Sequence, residues 1–338
     1  MRYVILGAGA IGGLVGARLH QSGHDAIVVA RGDNYEAIAA HGLRLRTPSQ
    51  DIRIDVPAAP SAAAAGLRAG DVILLCTKSQ DTYDALLDVR AALPRLDDHT
   101  QSRPPVPIVC VQNGVENERL AQRLFPDIYG AVILIPAEHL VPGEVISYGE
   151  KLDGRIDVGC YPEGTDALTE EICTALASSH LDSEPRANIM VHKYAKLINN
   201  LFNAVDGICG QVDRQANVEL SELVQAEGRR VLRAAGIECE VEDIREVGER
   251  WARIGMGEVD GHKHRGSSTW QSVARGTGSV ETDYLTGEIV LIARQQGIAA
   301  PLNELLQDLT ARTISEHREP GWVSPSELLD FARSLPTD

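Results

Sequence analysis

Gly7, Gly9 and Gly12 form the run GAGAIG, directly between the apolar stretch RYVILG and a small-residue stretch that reads as a helix. The pyrophosphate of a dinucleotide needs a tight turn, close backbone approach and the amides of a helix N-terminus. Three glycines at this spacing, at the opening of a first βαβ unit, supply all three. Gly7, Ala8, Gly9, Ala10, Ile11 and Gly12 are therefore the candidate pyrophosphate loop. The second strand ends VVAR, where an acidic residue would be expected for a ribose 2′-hydroxyl. Arg31 stands there instead, and its planar guanidinium suits a 2′-phosphate. NADP, as NADPH, is the expected cofactor, while Asp33 two residues on keeps NAD open.

Two further strand ends carry polar residues, Lys78 in CTKSQ and Asn113 in VQNGVEN. Ligands of an open α/β sheet lie beyond the carboxyl ends of its strands, so both residues are aimed where a nicotinamide ring would sit. A loop lysine and an Asn-Gly turn are the bland alternatives; their joint placement favours the site. Another group lies in HKYAKLINNLFNAVDGI, residues 192 to 208. Wound as a helix at about 100° per residue, it puts Tyr194, Leu197, Ile198, Leu201, Phe202 and Val205 on one side. Lys196, Asn199, Asn200 and Asn203 take the other. A face meant only for water is ordinarily filled with Glu, Lys and Arg. Asn disfavours helix because its carboxamide competes for backbone hydrogen bonds. One ammonium in line with carboxamides is a row of donors.

The elements that must hold these groups are legible as two patterns. RYVILG, DAIVVA, DVILLCTK, PIVCVQNG and IYGAVILIPAEH read as strands and GLRLRT as extended chain. Helices fall over residues 11 to 22, over NYEAIAAHG ended by Gly42, and over TYDALLDVRAAL and ENERLAQRLF. Near-continuous apolar strands between helices indicate a parallel sheet covered on both faces. After Asp182 the pattern is helical, clearest over residues 192 to 205, 217 to 235, 281 to 296 and 302 to 317, with Gly236 and Gly297 as stops. The expectation is an α/β N-terminal Rossmann-type domain with a parallel sheet over residues 1–184, binding NADP. An all-α C-terminal domain over residues 185–338 would carry the substrate and catalytic groups.

Composition narrows the partners. The 338 residues suffice for two cores, and a net charge of −16 argues against nucleic acid, whose phosphates need basic surfaces. Any anion site must therefore be made locally basic. Cys76, Cys110, Cys160, Cys173, Cys209 and Cys239 show no metal or redox spacing, which suits free thiols in a reducing compartment. YVILGAGAIGGLVGARL mimics a signal peptide only superficially, since its basic flank is Arg2 alone. No uninterrupted apolar span is long enough for a membrane, and a cytoplasmic protein is expected. His262 and His264 in HKHRG lack a nearby third ligand and read as a basic loop, so no metal is expected. The sequence leaves the assembly open, with a homodimer the arrangement to test.

Taken together, GAGAIG, Arg31, Lys78, QNG, KLINN and ETDYLTGEI resemble the ketopantoate reductase (2-dehydropantoate 2-reductase) family in order and spacing over nearly the whole chain. The resemblance implies a Rossmann domain and a helical domain that together reduce the ketone of a 2-keto acid with NADPH. By motif match it assigns Lys196 the role of polarising the carbonyl and giving it a proton. Asn200 becomes a substrate-binding amide, Ser268 a partner of the substrate carboxylate, and Glu281 a contact of the substrate hydroxyl and the lysine. Asn113 and Glu281 are shared between substrate and cofactor, and Asn203 is a further substrate candidate. An ammonium beside the ketone oxygen would favour the alkoxide that forms as hydride arrives.

Two departures bear on the substrate. The family's second asparagine lies four residues after the first, where this chain has Ala204, with its amide at Asn203. The stretch RGTGSV before Glu281 is also one residue longer than the family pattern. The implied reaction is 2-dehydropantoate to pantoate, a step of pantothenate biosynthesis. The alternatives are reduction of a different 2-keto acid, and an NADPH-sensing protein without turnover, against which Lys196 and Glu281 both speak.

Overall fold

The apolar runs of the first half become strands in the structure, a computed structural model describing residues 1–93, 106–239, 244–276 and 278–335. In chain order they are β1 (Arg2–Leu6), β2 (Asp25–Val29), β3 (Leu43–Arg46), β4 (Asp51–Ile54), β5 (Ala58–Ala59), β6 (Asp71–Leu75), β7 (Ile108–Cys110), β8 (Ile128–Leu134), β9 (Ala137–Glu138), β10 (Glu144–Ser147), β11 (Gly154–Cys160) and β12 (Leu181–Asp182). One eight-stranded sheet has the order β12-β11-β8-β7-β6-β1-β2-β5, and a four-stranded sheet the order β4-β3-β10-β9. The large sheet is parallel except at β8–β11, which pair antiparallel. The expected parallel sheet is thus mostly so.

Alternation along β1 explains why its strand is apolar throughout. Tyr3 and Ile5 join one buried cluster with Val28, Leu74 and Val109, while Val4 and Leu6 join another with Ile73, Leu75 and Ile108. Both faces of the sheet are covered, so successive residues are buried on opposite sides. The helices of the first half are α1 (Ala10–Gln21), α2 (Gly32–His41), α3 (Thr82–Ala92), α4 (Asn117–Gln122) and α5 (Ala167–Ala177). The chain runs from β1 to β2 on one side and returns to β6 on the other, which makes the carboxyl ends of β1 and β6 the switch point of the sheet.

The second half supplies α6 (Ile189–Asn200), α7 (Phe202–Cys209), α8 (Arg214–Ala234), α9 (Ile244–Ile254), α10 (Ser268–Ala274), α11 (Thr286–Gln296), α12 (Pro301–Ser315) and α13 (Pro325–Ser334). The chain divides into two compact units. The first is Met1–Met190 together with Glu242–His264, and the second Val191–Val241 together with Arg265–Asp338. In the second unit α8 buries Ala216, Leu220, Val224, Val231 and Leu232 along one stripe. Gly228 lies on that stripe because a Cβ there would come within 2.9 Å of the Ile198 and Leu201 side chains, so only glycine admits the crossing.

One turn of α8 also caps another helix. The buried Glu227 carboxylate accepts from the Leu302 and Asn303 amides at 3.1 and 2.9 Å and from the Asn303 carboxamide at 2.8 Å. These are first-turn donors of α12 that have no partner within their own helix. Glu227→Ala would leave the two backbone amides buried and unpaired, and is expected to cost about 2–4 kcal/mol of stability. Denaturant unfolding reads this directly, and an unchanged midpoint would mean that water replaces the carboxylate.

Among the described residues no helix is long and apolar enough to cross a membrane. No group of three or more His, Cys, Asp or Glu among them could hold a metal ion. None of the six cysteines forms a disulfide among the described residues, and burial pushes the Cys76 thiol up to about 12.

Candidate functional site

The glycine loop sits at the switch point and has room for a ligand on one side only. Gly7 takes φ +103°, and a Cβ there would lie 3.0 Å from the Cys76 carbonyl carbon and the Thr77 nitrogen, at the exit of β6. A Cβ at Gly12 would overlap the Gly7 carbonyl oxygen and stand 2.8 Å from the Cys76 Cβ. A Cβ at Gly9 would meet no atom within 4 Å. Gly9 caps α1 without a side-chain bond, so the first-turn amides of Ala10, Ile11 and Gly12 remain as donors toward that open side. Ala8 is buried beneath the loop. Two glycines serve packing and the third leaves approach open, which fits a pyrophosphate.

Asn34, which the motif analysis passed over, fastens this loop. Its carboxamide donates to the Ala8 carbonyl at 2.8 Å and accepts from the Gly143 amide at 2.8 Å. Arg31 caps α2 at the exit of β2, and its guanidinium donates to Asp88 of α3 at 2.9 Å. Their side chains are 73% and 58% exposed, so the pair contributes little and Arg31 can leave it cheaply for a phosphate. Asp33 is exposed in the first turn of α2.

Lys78 is half-buried at the exit of β6, just before a 3₁₀ turn over Ser79–Asp81, and Asn113 follows β7. The Asn113 Oδ1 atom is buried with no hydrogen-bond partner among the described residues, as is the Thr77 hydroxyl. Thr77 was not singled out by its sequence, since a threonine at a strand end is ordinary. An unsatisfied polar atom in such a place is costly unless a ligand meets it.

In the second unit the expected helix over residues 192 to 205 is two helices. Leu201 separates α6 from α7, and its amide reaches the Ile198 carbonyl, three residues back, at 3.3 Å. Leu197, Ile198, Leu201 and Val205 are buried as the periodicity requires. The polar side is not a solvated face, because Lys196, Asn200 and Asn203 are half-buried and only Asn199 is exposed. The Asn200 Nδ2 is buried with no partner among the described residues. Lys196 and Asn200 thus belong to α6 and Asn203 to the first turn of α7. Ala204 is buried, so no amide could stand there without repacking.

Ser268 opens α10, and the turn before it is clamped to α7. The Ser267 amide donates to the buried Asp206 carboxylate at 2.6 Å, its hydroxyl donates to the Asn203 carbonyl at 3.5 Å, and the Trp270 amide donates to that hydroxyl at 3.2 Å. Burial raises the Asp206 carboxyl above the usual carboxylate range, with the Ser267 bonds opposing the shift. Ser267, next to Ser268 in the chain, is thereby held against the main chain of Asn203. Glu281 differs from expectation. It is half-buried and precedes a 3₁₀ turn over Thr282–Tyr284, while α11 begins only at Thr286 because Leu285 leaves helical geometry at φ −114°, ψ −86°. A helix-dipole explanation for Glu281 at the start of α11 is thereby removed. The neighbouring Thr282 hydroxyl is buried and has no partner among the described residues. Thr277, in the lengthened stretch before it, lies outside the described residues.

The His264 ring packs edge-on to Tyr148 at 5.3 Å, and burial lowers its pKa.

Comparison with known proteins matches this arrangement along most of the chain. The family model for ketopantoate reductase PanE/ApbA matches residues 3–163, and that for its C-terminal part residues 188–313. The 2-dehydropantoate 2-reductase of Mesorhizobium japonicum is 30% identical over 94% of this chain and 98% of its own length. That of Pyrococcus horikoshii is 28% identical over 90% of this chain and 95% of its own. The crystal structure of a PanE/ApbA family ketopantoate reductase from Ralstonia eutropha JMP134 superposes with a TM-score of 0.76 at 29% identity, covering 94% of this chain and 100% of that one. The fold is shared by D-mandelate dehydrogenase, solved with NADH and anilino(oxo)acetate, with a TM-score of 0.77 at 20% identity over 94% of this chain and 99% of that one. The chain belongs to the ketopantoate reductase PanE/ApbA family of oxidoreductases.

Proposed function

We propose that this chain reduces a 2-keto acid to the 2-hydroxy acid with NADPH, and that 2-dehydropantoate is the substrate. The observation that carries the reading is the Asn200 Nδ2, a buried donor with no partner among the described residues, on the helix that bears Lys196. The ketone and carboxylate oxygens of a 2-keto acid are acceptors, which is what such a donor lacks. The names of the relatives support the same substrate.

The bound reduced nicotinamide would supply the hydride for the ketone carbon. The first-turn amides of α1 hold the pyrophosphate, Arg31 holds the 2′-phosphate, and Lys78 and Asn113 orient the ring end at the strand exits. Lys196 donates to the ketone oxygen and releases a proton to it as the alkoxide develops. Asn200 and Asn203 donate to the substrate oxygens and Ser268 to its carboxylate. Glu281 accepts from the Lys196 ammonium and from the hydroxyl produced.

The buried Ala204 favours a second reading on the substrate alone. With no amide at that position, the space around the keto acid differs from the family pattern, and another 2-keto acid would be the better substrate. Following NADPH absorbance with 2-dehydropantoate and a panel of 2-keto acids separates the two, and no turnover of any of them would overturn both.

Cofactor choice has its own test. Arg31→Ala should weaken NADPH by about ten- to a hundred-fold, the value of a charge-assisted contact, and leave NADH nearly unchanged. Equal losses for the two cofactors would remove Arg31 from the 2′-phosphate.

A further inference from the structure

A buried polar network joins the exits of β6 and β7, and no part of the mechanism above uses it. The Gln112 carboxamide donates to the Thr82 hydroxyl at 2.9 Å, and that hydroxyl donates to Asn117 Oδ1 at 2.8 Å. Asn117 Nδ2 then donates to the Ser79 hydroxyl at 3.2 Å and to the Asn113 carbonyl at 3.0 Å. Ser79 closes the ring with its own bond to the Asn113 carbonyl at 3.4 Å. Gln112, Thr82, Asn117 and Ser79 are all at most 4% exposed.

Hydrogen-bonded polar groups in so dry a place rigidify what they join. Here they join two short segments. Ser79 directly follows Lys78, and the Asn113 carbonyl belongs to the residue whose Oδ1 has no partner among the described residues. The network takes the main chain of Asn113 and leaves its side chain to a ligand.

We propose that Asn117 is a positioning residue for the nicotinamide dinucleotide. It locks the β6 and β7 exits together, so that Lys78 and Asn113 present their side chains to the bound cofactor at fixed separation. The proposal rests on the reading that the first unit binds such a cofactor. Asn117 touches neither reacting group; its effect runs through the backbone of Asn113 and through Ser79. Misplacement of an orienting group by about 1 Å can cost up to a hundred-fold in rate.

The test uses the full chain and three variants, with NADPH binding followed by calorimetry, turnover split into kcat and KM, and the thermal midpoint recorded on each. Asn117→Ala should weaken NADPH about ten-fold and lower kcat by about ten- to a hundred-fold, with the KM for the keto acid little changed. Thr82→Val conserves side-chain volume and cuts only the Gln112–Thr82–Asn117 arm, so it should shift both quantities the same way by about three-fold. Thr82→Ser retains the hydroxyl and should restore native values. Lower thermal midpoints with native NADPH affinity and kcat in Asn117→Ala and Thr82→Val would overturn the proposal and leave the network a packing device. If Asn117→Ala does not fold, native affinity in Thr82→Val overturns it alone. A native chain that binds neither NADPH nor NADH would overturn the dinucleotide reading, and the proposal with it.

Discussion

Lys196→Ala is expected to lower kcat by about 10²–10⁴-fold, the usual worth of a positioned general acid, while NADPH affinity stays native. The two effects separate because the glycine loop belongs to the first unit and Lys196 to the second. Lys196→Arg sharpens the result. A guanidinium keeps the positive charge beside the ketone oxygen but does not release a proton. Turnover should therefore remain within about ten-fold of the alanine variant if proton donation dominates. Recovery to near-native rates in Lys196→Arg would mean that charge alone suffices. If Lys196 served only as a half-buried helix residue, alanine would be neutral or stabilising, as the better helix former. Near-normal turnover in Lys196→Ala would remove it from the mechanism.

The second large effect distinguishes two glycines of one motif. Gly12→Ala forces a methyl onto the Gly7 carbonyl oxygen and against Cys76, both fixed by the sheet. It is expected to destabilise the protein by about 3 kcal/mol or more and to lose cofactor binding through the fold. Gly9→Ala puts its methyl into open space at φ −78°, which any residue adopts. Its thermal midpoint should move little, yet NADPH should bind about a hundred-fold more weakly, because that space is where backbone and pyrophosphate must approach. Calorimetric titration of the folded Gly9→Ala protein decides it. Native affinity there would mean that the pyrophosphate lies elsewhere.

Legibility in the sequence followed burial. Strands such as DVILL of β6, buried at every position, stand out as unbroken apolar runs, and GAGAIG marks the switch point beside them. Of the small second sheet, β3 shows as the extended run GLRLRT, while β4 and β10 left no such trace. β9 is only Ala137–Glu138, and β4 is the half-exposed DIRI, whose pairing with β3 depends on neighbours rather than on its own pattern. The donor row on α6 and α7 was visible as residue types. Its break at Leu201 was not, because no proline or glycine lies in that turn to mark it. Positioning groups were the least legible. Asn117 meets Thr82 from 35 residues away, and Asn34 meets Gly143 from 109. Only folding makes them neighbours.

The return of Glu242–His264 to the first unit has a consequence for how the protein is made. Lys151 and Leu152 bond through their amides to the Ile254 carbonyl, Gly257 bonds to the Tyr148 carbonyl, and Val259 completes a buried cluster with Ile146 and Tyr148. Translation at roughly 5–20 residues per second delivers β10 well before its cover, and the whole of Val191–Val241 emerges in between. During that interval the flank of the nucleotide-binding fold is open, with Ile146 and Tyr148 unshielded. A gene truncated after Met190 would make that interval permanent. Neither unit is a contiguous length of message, so the two cannot be exchanged between relatives by a single crossover.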